Sequence, residues 1–285
     1  MTSENQTIYQ EIRSFPYHSP VDSYILKLAA VATMFIDHAA SAFMLSFYTP
    51  EKWPTYRLLR HIGRFAFPLY CFMLVEGFRY SHNRWKYLRN LFIFALISEL
   101  PFDLALIRVP IDWNYQNVFW TLALGLLGMM CDVEIIRRGK LYKIPAPVIA
   151  FLRVLPMFAL AWVAETAHTD YGAWGVLIIA LIYYSEILAS FMTRFLEKWN
   201  RELQDLRNPQ MTRNLAAIRA IILWFLLYDL FYHRWTEIFG LPCIIMILFY
   251  NGQRGDYKYS KWFFYAFYPA HLIFLYFVRR LTLGY

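Results

Sequence analysis

The sequence is poor in charged side chains. Asp, Glu, Lys and Arg make up 17% of its 285 residues, whereas soluble domains usually carry about 25%. Hydrophobic residues make up 59% and aromatic residues 20%, and aromatic rings are typical of helix ends at a membrane surface. The 28 Lys and Arg residues are divided among short segments between apolar runs, so the net charge of +8 does not indicate a nucleic-acid partner.

Motifs of many soluble enzymes are also missing. The chain has no Gly-rich phosphate loop, no zinc-ligand spacing and no serine nucleophile elbow. Its three cysteines, Cys71, Cys131 and Cys243, lie in or beside apolar runs, so we expect neither a disulfide framework nor a metal site. The first 23 residues are polar, and no cleaved signal peptide is expected.

Apolar runs fill most of the remaining chain. A hydrocarbon core about 30 Å thick requires about 20 mostly apolar residues in a helix, and backbone amides in lipid must pair within the helix. The predicted spans are Tyr24–Tyr48, Leu58–Phe78, Tyr87–Ile107, Val118–Ile136, Val148–Ala167, Gly172–Met192, Asn214–Tyr232, Trp235–Tyr250 and Trp262–Leu283. The pattern therefore predicts an all-α, polytopic transmembrane helical bundle of about nine spans, which forms one domain over residues 1–285.

Basic residues are concentrated in every second connection between these spans. The basic connections are residues 79–89, 137–143, 194–213 and 254–261. By the positive-inside rule they are cytoplasmic, which places the N-terminus inside and the C-terminus outside. Arg279 and Arg280, near the outer end, are exceptions. The long polar stretch 193–213 predicts a cytoplasmic linker.

Ionisable and polar side chains interrupt several spans, at a cost that usually indicates function. Most fall in the predicted outer half of the bundle or in its outer loops. They are Asp37, His38, Arg60, Arg64, Glu99, Asp103, Asn117, Thr121, Glu165, His168 and Asp170, with His271 near the middle of the ninth span. Because they share one depth, we predict that they form one site.

Spacing leaves two interpretations of the charged residues. Arg60 and Arg64 share a helix face, as do Glu99 and Asp103. The four either form a buried ion network, or the arginines bind an anion or a developing oxyanion. His38 is the natural proton acceptor, unless it only hydrogen-bonds a neighbouring helix. Asp37 points about 100° away from His38 on a regular helix, and reaches it only if the helix is distorted.

Five separated segments carry a family likeness. They are LKLAAVATMFIDHAASAF (Leu26–Phe43), LRHIGRFAFPLYCFMLVEGFRYSHNRWKYLRNLFIFALISELPFDLAL (Leu59–Leu106), NVFWTLALGLLG (Asn117–Gly128), HTDYGAWGVLIIALIYY (His168–Tyr184) and LFYNGQRGDYKYSKWFFYAFYPAHLIFLY (Leu248–Tyr276). Together they resemble the TraX family, whose namesake acetylates the N-terminus of F-plasmid pilin. More distantly they resemble multi-span acyltransferases that use cytoplasmic acyl-CoA.

The resemblance implies a multi-pass protein of the bacterial inner membrane that transfers an acetyl group from acetyl-CoA to a protein or glycan acceptor. His38 matches the first-span histidine of the wider group, and the functional arginines match either Arg60 and Arg64 or the pair Arg84 and Arg89. We expect His38, Asp37, Arg60 and Arg64 to act in catalysis, and no metal. The remaining expected site residues are Glu99, Asp103, Asn117, His168, Asp170 and His271 around the acceptor, and Arg84, Lys86 and Arg89 around the CoA phosphates.

Two other functions fit the same residues. Buried charges are also typical of a solute or proton-coupled transporter, although the hydropathy shows no inverted repeat. A scaffold protein of a secretion or conjugation complex is the third alternative. The acceptor, and the choice between direct transfer and an acetyl-histidine intermediate, are not determined by the sequence.

Overall fold

The fold is helical throughout the part of the chain that the structure, a computed structural model, describes: residues 18–197, 208–233, 235–255 and 260–284. The α-helices are α1 (Ser23–Ala42), α2 (Trp53–Gly63), α3 (Ala66–Tyr80), α4 (Arg84–Phe102), α5 (Val118–Leu141), α6 (Ala146–Thr166), α7 (Gly172–Glu197), α8 (Pro209–Tyr232), α9 (Cys243–Leu248) and α10 (Ser260–Leu283). Short 3-10 turns cover Met44–Phe47 and Glu237–Gly240, and a π-helical turn covers Asp103–Ile107. These ranges contain no β strand, so the predicted all-α class is confirmed.

Seven segments of the described chain are helical, long and apolar enough to cross a membrane. They are Ser23–Ala42, Trp53–Tyr80, Arg84–Ile107, Val118–Leu141, Ala146–Thr166, Gly172–Met192 and Pro209–Tyr232. Helix α6 leaves large apolar side chains such as Phe151, Phe158 and Trp162 exposed, as expected of a surface that faces lipid. These helices support a multi-pass membrane protein.

The last two predicted spans do not belong to this set. The eighth consists of a 3-10 turn and the six-residue helix α9. It nevertheless runs back along α8, since the Glu237 N–H lies 3.2 Å from Asp229 Oδ1 and Asn214 Nδ2 lies 2.8 Å from the Tyr250 carbonyl. The ninth, α10, has 24 residues but contains Pro269 and a basic last turn. The count of nine and the cytoplasmic N-terminus therefore stay predictions.

The second predicted span is not one continuous helix. It is interrupted at Arg64 and Phe65, between α2 and α3. Just before the break, a Cβ on Gly63 would lie 2.1 Å from Asp37 Oδ1 of α1. Glycine therefore permits the close approach of α1 and α2 that brings the Asp37 carboxylate beside the arginines of α2.

Helix α4 changes geometry near its end. Pro101 has no backbone N–H and so removes one hydrogen bond of the helix, and the π-helical turn Asp103–Ile107 follows directly. The turn ends at Arg108, which has a left-handed backbone (φ 72°) and donates its N–H to the Asp103 carbonyl over 2.6 Å. Turns of this kind are frequent at functional sites.

Helix α10 contacts α1 at two levels. Phe264 contacts Tyr24 near the start of α1, with ring centroids 5.6 Å apart, and His271 contacts His38 farther along. Following the predicted orientation, we call the end of the bundle that holds Ala42, Ile107 and Leu283 the outer end.

The predicted linker 193–213 is helical at both of its ends. Residues 193–197 extend α7, and residues 209–213 form the first turn of α8. Residues 198–207 lie outside the described residues, as do residues 256–259 of the last basic connection and the first 17 residues.

Candidate functional site

Two histidines meet at the contact between α1 and α10. His38 Nδ1 lies 2.7 Å from His271 Nε2, and the two rings meet edge to edge with centroids 5.0 Å apart and nearly parallel planes, 8° from each other. Both side chains are buried, His38 to 9% exposure and His271 to 4%. Such a short contact requires that one nitrogen carries a proton and donates a hydrogen bond, and that the other nitrogen accepts this hydrogen bond.

A backbone carbonyl determines which nitrogen donates. His271 Nδ1 lies 2.8 Å from the carbonyl oxygen of Phe267, one turn earlier on α10. Because a carbonyl only accepts, His271 Nδ1 carries the proton, and in the neutral ring Nε2 then accepts. His38 must donate through Nδ1, so its own neutral ring carries a lone pair on Nε2. The network thus fixes the tautomer of His38, with the proton on Nδ1 and the lone pair on Nε2.

Aromatic side chains surround the pair. Tyr268 makes an edge contact with the His38 ring at 5.7 Å. Phe267 stacks on His271 at 4.9 Å, and Phe35 packs against it at 6.1 Å. These rings fix the orientation of both imidazoles and exclude water from their mutual hydrogen bond.

An ion cluster lies one residue away on α1. Asp37 Oδ2 accepts a hydrogen bond of 2.6 Å from Arg60 Nη1, and Asp37 Oδ1 lies 3.8 Å from Arg64 Nη2. Arg64 Nη1 also donates to Glu237 over 3.1 Å and to the Tyr171 hydroxyl over 3.2 Å. Two carboxylates and a tyrosine therefore hold the two guanidiniums close together.

Three pairings that the sequence left open are absent from the described structure. In the described structure, Glu99 and Asp103 do not form ion pairs with the arginines of α2. Glu99 accepts hydrogen bonds from Asn117 Nδ2 over 2.6 Å and from Trp120 Nε1 over 2.7 Å. Asp103 accepts from the Asp112 N–H over 2.8 Å. Asp37 does not orient His38, because no helix distortion brings them together, and His271 takes that place.

Sequence reasoning missed Glu237 and Tyr171. Glu237 is an acid in the apolar eighth segment, so the cost of burying it was a usable signal. Tyr171 stacks on Phe67 with centroids 3.8 Å apart, and nothing in the sequence distinguished it from the other 21 tyrosines. Both contribute to the cluster only because loops after α6 and α8 reach Arg64.

The loop between α6 and α7 places Asp170 near this cluster but not His168. Asp170 Oδ1 accepts from the Tyr115 hydroxyl over 2.6 Å. Burial raises the pKa of Asp170, while the Tyr115 hydrogen bond and the charge of Arg64 act in the opposite direction. His168 is exposed with φ 52°; its backbone carbonyl accepts from the Gln116 N–H at 2.9 Å, and its N–H donates to the Glu165 carbonyl at 3.0 Å.

Asn117 has a structural role at the start of α5. Its side chain accepts from the Phe119 N–H over 3.0 Å and so caps the helix. Its amide also donates to the Ala95 carbonyl over 2.8 Å, which joins α5 to α4. Asn117 therefore supports the site indirectly, by capping α5 and holding it against α4.

The three basic residues expected around CoA lie at the other end of the bundle. Lys86 and Arg89 are exposed, and the Arg84 guanidinium lies 4.1 Å from the centre of the Phe78 ring. Phe94 of α4 stacks on Tyr265, six residues before His271. At a rise of 1.5 Å per residue, Arg84 is therefore about 24 Å from the level of the histidine pair.

Comparison with known proteins identifies a family. The family model described as TraX protein matches residues 22–279. A curated relative, the probable fimbrial assembly protein FimC of serogroup H1 from Dichelobacter nodosus, is 31% identical over 262 residues, which cover 89% of this chain and 93% of the relative. No solved structure matches. The match spans the histidine pair and the ion cluster, and the chain belongs to the TraX family.

Proposed function

We propose that this protein is a membrane acetyltransferase that moves an acetyl group from cytoplasmic acetyl-CoA to an acceptor amine or hydroxyl near the outer end of the bundle. The observation that carries the proposal is the hydrogen-bond chain from the Phe267 carbonyl through His271 to His38. It leaves a nitrogen lone pair on His38, next in the chain to Asp37, which binds Arg60 and lies 3.8 Å from Arg64. The family match supports a pilin-related substrate, as the relative is named a fimbrial assembly protein.

His38 Nε2 accepts the proton of the acceptor as its nitrogen or oxygen attacks the thioester carbonyl carbon. The imidazolium that forms keeps its Nδ1–H on His271, so the ring does not turn during the transfer. As the C–S bond breaks, His38 returns the proton to the CoA sulfur. The products are the acetylated acceptor and CoA as the free thiol.

Arg60 and Arg64 stabilise the carbonyl oxygen as it becomes negative. Each guanidinium has five N–H donors. Asp37 accepts a hydrogen bond from Nη1 of Arg60. Glu237 and Tyr171 accept hydrogen bonds from Nη1 of Arg64. The remaining donors are available to an oxyanion, and the fixed carboxylates hold the guanidiniums in place before the substrate arrives.

Acetyl-CoA, the acetyl donor, would extend from one end of the bundle to the other. Arg84, Lys86 and Arg89 suit the CoA phosphates because they are positively charged and accessible at the start of α4. The thioester would then reach about 24 Å along α4 to the level of the histidine pair. Transfer through a transient acetyl group on His38 Nε2 uses the same geometry, since that nitrogen is equally the nucleophilic one.

The experiment is the turnover of acetyl-CoA by the detergent-purified protein with a peptide that has a free N-terminus as the acceptor, and free CoA is separated by chromatography. In His38→Asn the amide keeps a donor near the position of Nδ1 but has no basic nitrogen. We expect CoA release to fall by about 10²–10⁴-fold, the usual contribution of a general base, with unchanged thermal melting. His18→Ala, at an exposed histidine, is the matched control. Equal turnover by the parent and His38→Asn would overturn the proposal.

A further inference from the structure

A cleft at the outer end contains three arginines. It lies between the ends of α1, α4 and α10 and has a volume of about 490 Å³. We call it the outer arginine cleft. Its lining includes Leu45, Leu104, Arg108, Tyr276, Arg279 and Arg280. None of these residues belongs to the histidine pair or to the ion cluster.

One of the arginines is a fixed part of the wall. Arg279 is 2% exposed and donates to the Ala105 carbonyl over 2.6 Å and to the Leu104 carbonyl over 2.8 Å. Both carbonyls belong to the π-helical turn at the end of α4. The unusual helix geometry thus gives Arg279 its place in the fold.

The other two arginines have no acidic partner in the described parts of the chain. Neither Arg108 nor Arg280 forms an ion pair there. Arg108 Nε is buried and has no hydrogen-bond partner among the described residues, a state that is unfavourable for a charged group. No lining residue is acidic. Positive charge gathered at the outer end also runs against the usual distribution in membrane proteins.

An anion in the cleft would explain these features together. A guanidinium offers a planar pair of donors that matches phosphate oxygens. Leu45 and Tyr276 add apolar surface beside the charges, as a phosphate ester with a hydrocarbon portion requires. We propose that the outer arginine cleft binds a phosphate group through Arg108 and Arg280, supplied by a lipid headgroup or by free phosphate.

The cleft is close to the histidine pair without overlapping it. Tyr276 lies five residues after His271 on α10, a distance of about 7.5 Å along the helix. Bound phosphate would therefore join the ends of α4 and α10 just beyond the candidate site. Its binding is independent of acetyl transfer, so either proposal can fail while the other stands.

The test compares Arg108→Gln/Arg280→Gln with the parent protein. Arg137→Gln/Arg138→Gln is the matched control, because it removes the same charge from exposed arginines bound to Glu134 at the other end. Arg279 is left unchanged because it holds the wall. Native mass spectrometry of the full chain measures the binding of short-chain phosphatidylglycerol and phosphatidylcholine, and a thermal-melting titration measures inorganic phosphate against chloride at constant ionic strength.

We expect binding to be about tenfold weaker or more in the cleft variant, because it loses the charge-assisted hydrogen bonds to the phosphate, and unchanged in the control. Preferential loss of phosphatidylglycerol identifies a lipid as the source. Loss of the inorganic phosphate effect alone identifies free phosphate. Equal binding by the parent and the cleft variant, or no binding of either probe, would overturn the proposal.

Discussion

Replacement of His271 by glutamine or methionine tests how His38 is held. These two side chains have nearly the same shape, but only glutamine carries an oxygen near the position of Nε2. His271→Gln therefore keeps an acceptor for His38 Nδ1, whereas His271→Met removes it. The prediction concerns a positioning residue, since His271 contacts His38 and not the reacting atoms in the proposed mechanism.

The magnitude follows from the buried hydrogen bond of 2.7 Å. Without an acceptor, the Nδ1–H of His38 is left unsatisfied at a cost of about 1–3 kcal/mol. The ring escapes this cost by moving its proton to Nε2, which removes the base. We expect His271→Met to lose about 10²–10⁴-fold in turnover and His271→Gln to lose less than about tenfold, or about 1.4 kcal/mol.

The assay is CoA release by both purified variants at equal protein concentration, with thermal melting as the check on folding. The comparison between two matched side chains separates tautomer control from packing. If glutamine and methionine lower the rate to the same extent while both proteins melt like the parent, the acceptor role of His271 is refuted.

Four further changes test other parts of the structure. Arg64→Gln should lower turnover by about 10²-fold or more and Glu237→Gln by less, because the second change leaves Arg64 its contact with Asp37; kcat measured for both variants checks this order. Gly63→Ala should lower thermal stability, because its Cβ would overlap Asp37 Oδ1, and a melting curve in detergent measures the loss. Asp132→Asn, at a buried carboxylate bound by an arginine away from the site, should destabilise the fold by about 3–5 kcal/mol and leave the kcat of the folded fraction unchanged.

Each of these expectations has a clear opposite. If Glu237→Gln lowers kcat as much as Arg64→Gln does, the predicted order is wrong and the two residues act as one unit. A normal melting curve for Gly63→Ala would mean that α1 and α2 are farther apart than described. A fall in kcat for Asp132→Asn would place chemistry in a part of the bundle to which we assign only stability.

The presence of the helices could be predicted from the sequence, because an apolar run of membrane length must pair its backbone amides within itself, and a helix does so. Seven of the nine predicted spans correspond to helices long and apolar enough to cross a membrane. The break at Arg64 and the short eighth segment could not be predicted in the same way. Both depend on contacts with another helix, through Asp37 in the first case and through Asp229 and Asn214 in the second.

The candidate site was predicted as a set of residues but not as a geometry. His38 and His271 were both expected in it, yet their contact joins residues 233 positions apart. It depends on the register of α10 against α1, which no local pattern encodes. The same limit explains Glu99 and Asp103. Matched spacing suggested partners for the arginines, whereas packing directed Glu99 to Asn117 and Trp120.

The most direct test of the central claim is acetyl transfer in sealed proteoliposomes that contain radiolabelled acetyl-CoA on one side only. A peptide with a free N-terminus is supplied on the other side, and labelled peptide and free CoA are measured for the parent and for His38→Asn. We predict equal amounts of both products from the parent and almost none from His38→Asn. Unlabelled peptide together with unchanged acetyl-CoA in the parent would contradict the account and would favour a transporter.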